Sequence, residues 1–265
     1  MNQYLFKAFL MTVAAGGALI AGGISAMLVR RMRKSWFPFI LSFTGGIMLY
    51  AAFVKFLPSS EEQLKQILSS NSAFSVSTIC FFVGVFATTP IDTILSLFQR
   101  NLAKNAHHKR RVYAEHNHEL LILIFLSITF HNLFEGAATF LTYLSESYIA
   151  IPVVLALIAH NFPEGAVSAM VIHKRTGNKW KAILFCCITA LTEPIGALLA
   201  YWLLHDNLSP LTFGLVKGLL AGLLVNTALD ELIPSAELKG SHQLSMRGII
   251  IGMGFMALLM VYAYR

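Results

Sequence analysis

Apolar stretches of about twenty residues recur from one end of this sequence to the other, and they decide what the chain can fold into. Eight are long enough to cross a bilayer: Tyr4–Val29, Trp36–Leu57, Ala73–Phe98, Leu120–Leu144, Tyr148–Ile172, Trp180–Leu204, Leu211–Ile233 and Met246–Tyr264. Each approaches the ~20 residues that a hydrocarbon core ~30 Å thick requires. In lipid such runs must be helices, because an open strand leaves backbone donors and acceptors unsatisfied. With 56% hydrophobic and 12% charged residues, the chain is also far from the roughly 25% charge of soluble proteins. The expected fold is all-α and integral to the membrane, an eight-helix bundle forming a single polytopic domain over residues 1–265. The start, MNQYLFK, lacks the basic region of a cleavable signal, so the first run reads as a retained helix.

A net charge of +7 invites a nucleic-acid partner, but the placement of the charge argues for topology instead. Of the 20 Lys and Arg residues, 15 fall in or beside alternate connections: Arg30–Ser35, Gln99–Glu119, His173–Lys179 and Pro234–Ser245. The positive-inside rule makes these cytoplasmic and puts both termini on the outer side. No nucleic-acid partner is expected. The longest connection, about 99–119, carries His107, His108, His116 and His118 among basic residues. A tract of that composition can catch metal, as a cytoplasmic sensor or buffer, or be a plain solvated loop. Cys80, Cys186 and Cys187 lie inside apolar runs and read as small core residues.

Two motifs carry the chemistry. The fourth run contains His131-Asn132-Leu133-Phe134-Glu135-Gly136-Ala137, and the fifth His160-Asn161-Phe162-Pro163-Glu164-Gly165-Ala166. Histidine and glutamate are four residues apart and asparagine and glutamate three, so each triplet shares one helical face. At about 1.5 Å per residue His131 lies roughly 17 Å into its span, near the bilayer centre. His160 is similarly deep in a span running the other way, and Glu193 is mid-span in the sixth. Ionisable groups at that depth are expensive unless paired and mark function by default. Imidazole, amide and carboxylate converging from three consecutive helices make a metal site. Three carboxylates there would repel one another or take up protons unless a cation sat among them. Pro163 should kink the fifth helix and free the Ala159 carbonyl, and Gly136 and Gly165 should let neighbouring helices approach.

Asp230 and Glu231, at the cytoplasmic end of the seventh span, and Asp92, at that end of the third, either outline an exit path or cap the interface. Asn226 is one turn before Asp230, on a shared face. Lys55 and Lys217 lie near the outer ends of their spans and should snorkel. Nitrogen and oxygen donors without thiolate suit Zn²⁺, Fe²⁺, Mn²⁺, Co²⁺ and Cd²⁺, and imidazole argues against Mg²⁺ or Ca²⁺. The cation is cargo, and no separate cofactor is expected. A membrane metallohydrolase is the main rival, but a zinc protease needs H-E-x-x-H, and H-N-x-x-E lacks that base, so an enzyme is not expected. A carrier of small organic substrates would need room and aromatic lining. A membrane metal sensor would keep the fold and lose the flux.

On these residues the chain resembles the ZIP (Zrt-, Irt-like protein) family of divalent metal transporters, most closely its bacterial ZupT-like branch. The fourth-span pattern H-N-x-x-[DE]-G matches His131 to Gly136, and the fifth-span H-N-x-P-E-G matches His160 to Gly165. Glu193 matches the sixth-span glutamate, and D-E-L-x-P matches Asp230 to Pro234. The resemblance implies a binuclear centre, with His131, Glu135, His160 and Glu164 on one ion. Asn132, Asn161 and Glu193 would hold the second, and Glu135 and Glu164 would bridge. It also implies a 3+2+3 arrangement with inverted repeats, a homodimer, uptake of zinc first toward the cytoplasm, and a bacterial inner-membrane location. One departure stands out: relatives of that branch often carry an acid where this chain has Lys55.

Overall fold

Chain embedded in hydrocarbon must pair its backbone groups internally, and the described residues do so as helices, with no strand among them. The computed structural model describes residues 3–28, 36–87, 117–145 and 147–263. Asp92, His107, His108 and His116 lie outside these, as does the end of the expected third span.

We number the helices α1 (Gln3–Leu28), α2 (36–65), α3 (Ser70–Phe86), α4 (Asn117–Ser145), α5 (Ser147–Thr176), α6 (179–204), α7 (210–239) and α8 (His242–Ala263). Among the described residues, six stretches are long and apolar enough to cross a membrane: Gln3–Leu28, Pro38–Lys65, Val153–Thr176, Lys179–Leu204, Pro210–Leu238 and His242–Tyr262. Exposed Trp36, Trp180, Trp202 and Tyr262 stand near helix ends, where amphipathic rings favour the lipid–water interface.

The eight helices form two groups of four. In one, α1 packs on α5 and α6 on α4; in the other, α2 packs on α8 and α3 on α7. Each pairing is fixed by a reciprocal glycine contact in which each glycine lies under a backbone carbonyl of the facing helix. The pairs are Gly22 with Gly165, Gly136 with Gly196, Gly46 with Gly252, and Gly84 with Gly222. A side chain at these positions would hold the backbones apart. Exchanging α1–α3 for α6–α8, and α4 for α5, maps each pairing onto the other of its group. That is the pairing expected of inverted repeats flanking two central helices.

Two expectations need correction. The second helix does not stop at Leu57: it passes through a π turn, Ala51–Phe56, and continues over Leu57–Lys65. A proline ring clashes with the carbonyl four residues back. The wider π turn, in which Leu57 N–H donates to Ala52 O, lets Pro58 follow without ending the helix. Helix α7 repeats the device: π turn Thr227–Leu232, Ile233 N–H donating to Ala228 O, then Pro234.

Second, Lys55 and Lys217 do not snorkel; they are 6% and 3% exposed. Lys217 lies between Gly214 and Gly218, which bring α7 against Ser60 and Leu64 of α2 and Ser77 and Cys80 of α3. The Ser60 hydroxyl donates to Gly214 O at 2.6 Å, closing that face. Helix α5 is continuous through Pro163. The carbonyl that Pro163 leaves without its usual donor is met from α2, where Thr44 Oγ1 lies 3.4 Å from Ala159 O. Helix α6, by contrast, is interrupted at Leu191 between Lys179–Ala190 and Thr192–Leu204, because Pro194 has no N–H for Ala190 O.

Candidate metal centre

Helices α4 and α5 present their matched triplets to each other. His131 Nε2 lies 3.1 Å from Glu135 Oε1, and His160 Nε2 lies 3.3 Å from Glu164 Oε2. Across the helix boundary the two imidazole Nε2 atoms are 3.3 Å apart, and Glu135 Oε1 is 3.7 Å from His160 Nε2. Ligand atoms of His131, His160 and Glu164 all fall within 4.8 Å of one another, a span that one divalent ion can bridge.

The third contribution comes from α6. Its interruption at Leu191 starts a new helix at Thr192, with Glu193 in the first turn, where backbone N–H groups and the helix dipole favour a carboxylate. Gly136 and Gly196 bring α4 and α6 together at this level, Gly136 lying against the Glu193 backbone. Asn161 Nδ2 donates to Glu193 Oε1 at 2.5 Å and to the Ala15 carbonyl of α1 at 3.0 Å. Four helices therefore meet at one depth.

Asn132, Asn161 and Glu193 are fully buried, and Glu135 and His160 are nearly so. Several of their polar atoms have no hydrogen-bond partner of good geometry: both amide atoms of Asn132, both carboxylate oxygens of Glu135, His160 Nδ1, Asn161 Oδ1, Glu164 Oε2 and Glu193 Oε2. Unsatisfied groups of this kind each cost on the order of 1–3 kcal/mol, and most buried polar groups are paired. So many in one place, three carboxylate groups among them, is a set whose oxygens and imidazole nitrogens a divalent cation could meet, although the Asn132 amide N–H group could not bind one.

Above the cluster, on the side where α4 ends and α5 begins, a small cavity has Glu135 and His160 at its base. Its walls are almost wholly apolar, from Ile47, Met48 and Ala51 of α2, Val153 and Leu157 of α5, and Leu220 and Leu224 of α7. Of the exit residues expected from sequence, Asp230 is not drawn into the cluster. Asp230 is exposed on the α7 π turn and Asn226 is half-buried. Thr227 reaches the site instead, its Oγ1 3.3 Å from His131 Nδ1. Thr44 and the Ala15 carbonyl are the other supports that sequence reasoning missed. For Thr227 the available signal was a polar residue interrupting an apolar run one turn before Asp230.

The family profile described as ZIP Zinc transporter matches residues 103–260, which include both triplets, Glu193 and the π turn of α7. The chain belongs to the ZIP zinc transporter family. It is also similar over nearly its whole length to proteins named zinc transporter ZupT. The one from Streptococcus mutans is 30% identical over 262 residues, 97% of each chain. That from Chlorobium luteolum is 36% identical over 259 residues, 95% of this chain and 96% of its own. That from Stenotrophomonas maltophilia is 34% identical over 259 residues, 98% of this chain and 96% of its own. ZIP zinc transporters are transporters and not enzymes, so the metallohydrolase reading falls.

Proposed function

We propose that this chain carries divalent metal ions across the membrane, zinc first and iron, manganese, cobalt or cadmium after it, through the cluster on α4, α5 and α6. The observation that carries the proposal is the concentration of buried imidazole and carboxylate ligand atoms around His131, His160 and Glu164, several of them without a hydrogen-bond partner. His131, Glu135, His160 and Glu164 hold one ion; Asn132, Asn161 and Glu193 hold a second, with Glu135 and Glu164 bridging. A cation reaching this depth exchanges water for imidazole nitrogens and carboxylate oxygens. The three glutamates compensate its charge where the surrounding hydrocarbon cannot. Asparagine fixes position at little electrostatic cost: Asn161 ties Glu193 to the α1 backbone.

The apolar walls beside Glu135 and His160 keep hydrated ions from passing on that side without a rearrangement. On the other side Asp230 offers a carboxylate toward which the ion can leave, and by their position in the sequence Asp92 and Glu231 extend the same exit path. Transport runs toward the cytoplasm of a bacterial cell across the inner membrane. Both termini are extracytoplasmic, and the working form is a homodimer. The bias of 15 of 20 basic residues to one set of connections supports that orientation.

The test is uptake of Zn²⁺, Fe²⁺, Mn²⁺ and Cd²⁺ into proteoliposomes carrying the purified protein. Flux should be present in the intact protein and absent in Glu164→Ala. Stoichiometric binding without flux of any ion would make the protein a metal sensor instead. Neither binding nor flux would remove the assigned centre.

A further inference from the structure

The two nitrogens of His131 meet different surroundings. Nε2 faces the cluster, 3.1 Å from Glu135 Oε1 and 3.3 Å from His160 Nε2. Nδ1 meets Thr227, whose hydroxyl oxygen is 3.3 Å away. Thr227 is 2% exposed and opens the π turn of α7, in the helix group that carries none of the cluster's donors. A neutral imidazole bears one proton, and the nitrogen holding it has no lone pair for a cation. A hydroxyl beside Nδ1 can accept that proton's hydrogen bond. His160 has no counterpart: its Nδ1 is buried without a hydrogen-bond partner.

We propose that Thr227 is a positioning residue that accepts a hydrogen bond from His131 Nδ1–H and so holds the tautomer whose Nε2 lone pair points into the cluster. This rests on the reading of His131 as a cation ligand. The two histidines of the repeated motif are then not equivalent. His131 is oriented from a helix outside the cluster, and His160 is free to adjust to the ion.

The experiment is equilibrium Zn²⁺ binding to the purified full-length protein and to Thr227→Val, Thr227→Ser, His131→Ala and the His131→Ala/Thr227→Val double variant. Loss of a partner behind a metal-bound histidine typically weakens affinity about 10–100-fold, and Thr227→Val should fall in that range. Thr227→Ser keeps the hydroxyl and should restore binding to within about threefold. The double variant should bind no more weakly than His131→Ala alone, because Thr227 acts only through that ring. Wild-type affinity in Thr227→Val, or equal weakening in Thr227→Ser, overturns this inference while His131→Ala still weakens binding. Wild-type affinity in His131→Ala overturns the reading of the site, and this inference with it. A second measurement reads the native site directly: ¹⁵N-histidine spectra of the zinc-loaded native protein, with His131 assigned by its loss in a folded His131→Asn variant. Protonated Nδ1 and metal-bound Nε2 are expected, and the reverse overturns the proposal.

Discussion

Replacing Gly136 by alanine should disable the centre without removing a single donor atom. A Cβ at this position would lie 2.5 Å from the carbonyl carbon and 2.6 Å from the Cα of Glu193, with the carbonyl oxygen nearer still. All three are backbone, so no side chain can swing away. Restoring ordinary contact to Cα at about 3.4 Å requires α4 and α6 to part by close to 1 Å. That separation carries Glu193 away from Asn132 and Glu135, which α4 holds, and stretches its tie to Asn161. Overpacking of this kind costs about 1–3 kcal/mol of stability. A 1 Å misplacement of a reacting constellation can cost about 100-fold in function. The assay is zinc flux and equilibrium zinc binding in proteoliposomes, with Gly17→Ala as control, since a Cβ at Gly17 meets nothing within 4 Å. Flux should fall by about two orders of magnitude in Gly136→Ala and stay unchanged in Gly17→Ala. A folded Gly136→Ala protein with native flux and affinity would refute the argument that backbone contact sets the α4–α6 register.

His160→Ala and Glu164→Ala should each abolish zinc, iron and manganese flux while leaving a folded protein, as judged by monodisperse gel filtration; normal flux in both would remove the assigned donors. Thr44→Val takes the hydroxyl from Ala159 O and should lower stability by about 1 kcal/mol in a thermal or denaturant titration. In a Pro163→Ala background the restored N–H satisfies that carbonyl, so the cost of Thr44→Val should largely vanish. An unchanged cost would mean that the Thr44 contact does not compensate the proline.

The residues proposed as donors are legible in the sequence because metal chemistry restricts which side chains can serve and helical spacing restricts where. His131, Glu135, His160 and Glu164 announce themselves as a pattern repeated at a depth where charge is costly. Their supports are hidden because they need neither charge nor motif. Thr44, Thr227 and the Ala15 carbonyl are ordinary residues whose importance depends on which helix faces which. That is decided by reciprocal glycine contacts between segments far apart in sequence, such as Gly22 with Gly165. The π turns were hidden for a different reason. A proline in an apolar run reads as a stop, and at Pro58 and Pro234 it is the widened turn before them that lets the helix continue. The buried lysines follow the same logic. Position along the span suggests snorkelling, but the glycines around Lys217 place it against neighbouring helices.

The two π turns also expose an asymmetry that the fold's internal repeat makes testable. Aligned on their prolines, Lys55-Phe56-Leu57-Pro58-Ser59 of α2 corresponds to Glu231-Leu232-Ile233-Pro234-Ser235 of α7, so equivalent positions carry opposite charges. Helix α2 passes from Ala51, in the wall of the apolar cavity, to Lys55 one turn beyond it. Helix α7 passes from Thr227, at the cluster, to Asp230 on the opposite side. On the proposed route, a divalent cation leaving past Asp230 would meet attraction, and one arriving past Lys55 would meet repulsion. At a separation on the order of 10 Å and an effective dielectric of about 20, that repulsion is about 3 kcal/mol. Interactions that Lys55 makes within the protein reduce it. Lys55→Glu should therefore lower the KM for zinc uptake by about tenfold or more, with the larger effect at low ionic strength if the position is reached by solvent. An unchanged KM and metal preference in a folded Lys55→Glu protein would mean that the ion's path avoids this face of α2. The lysine would then be a packing element of the scaffold helices and not part of the route.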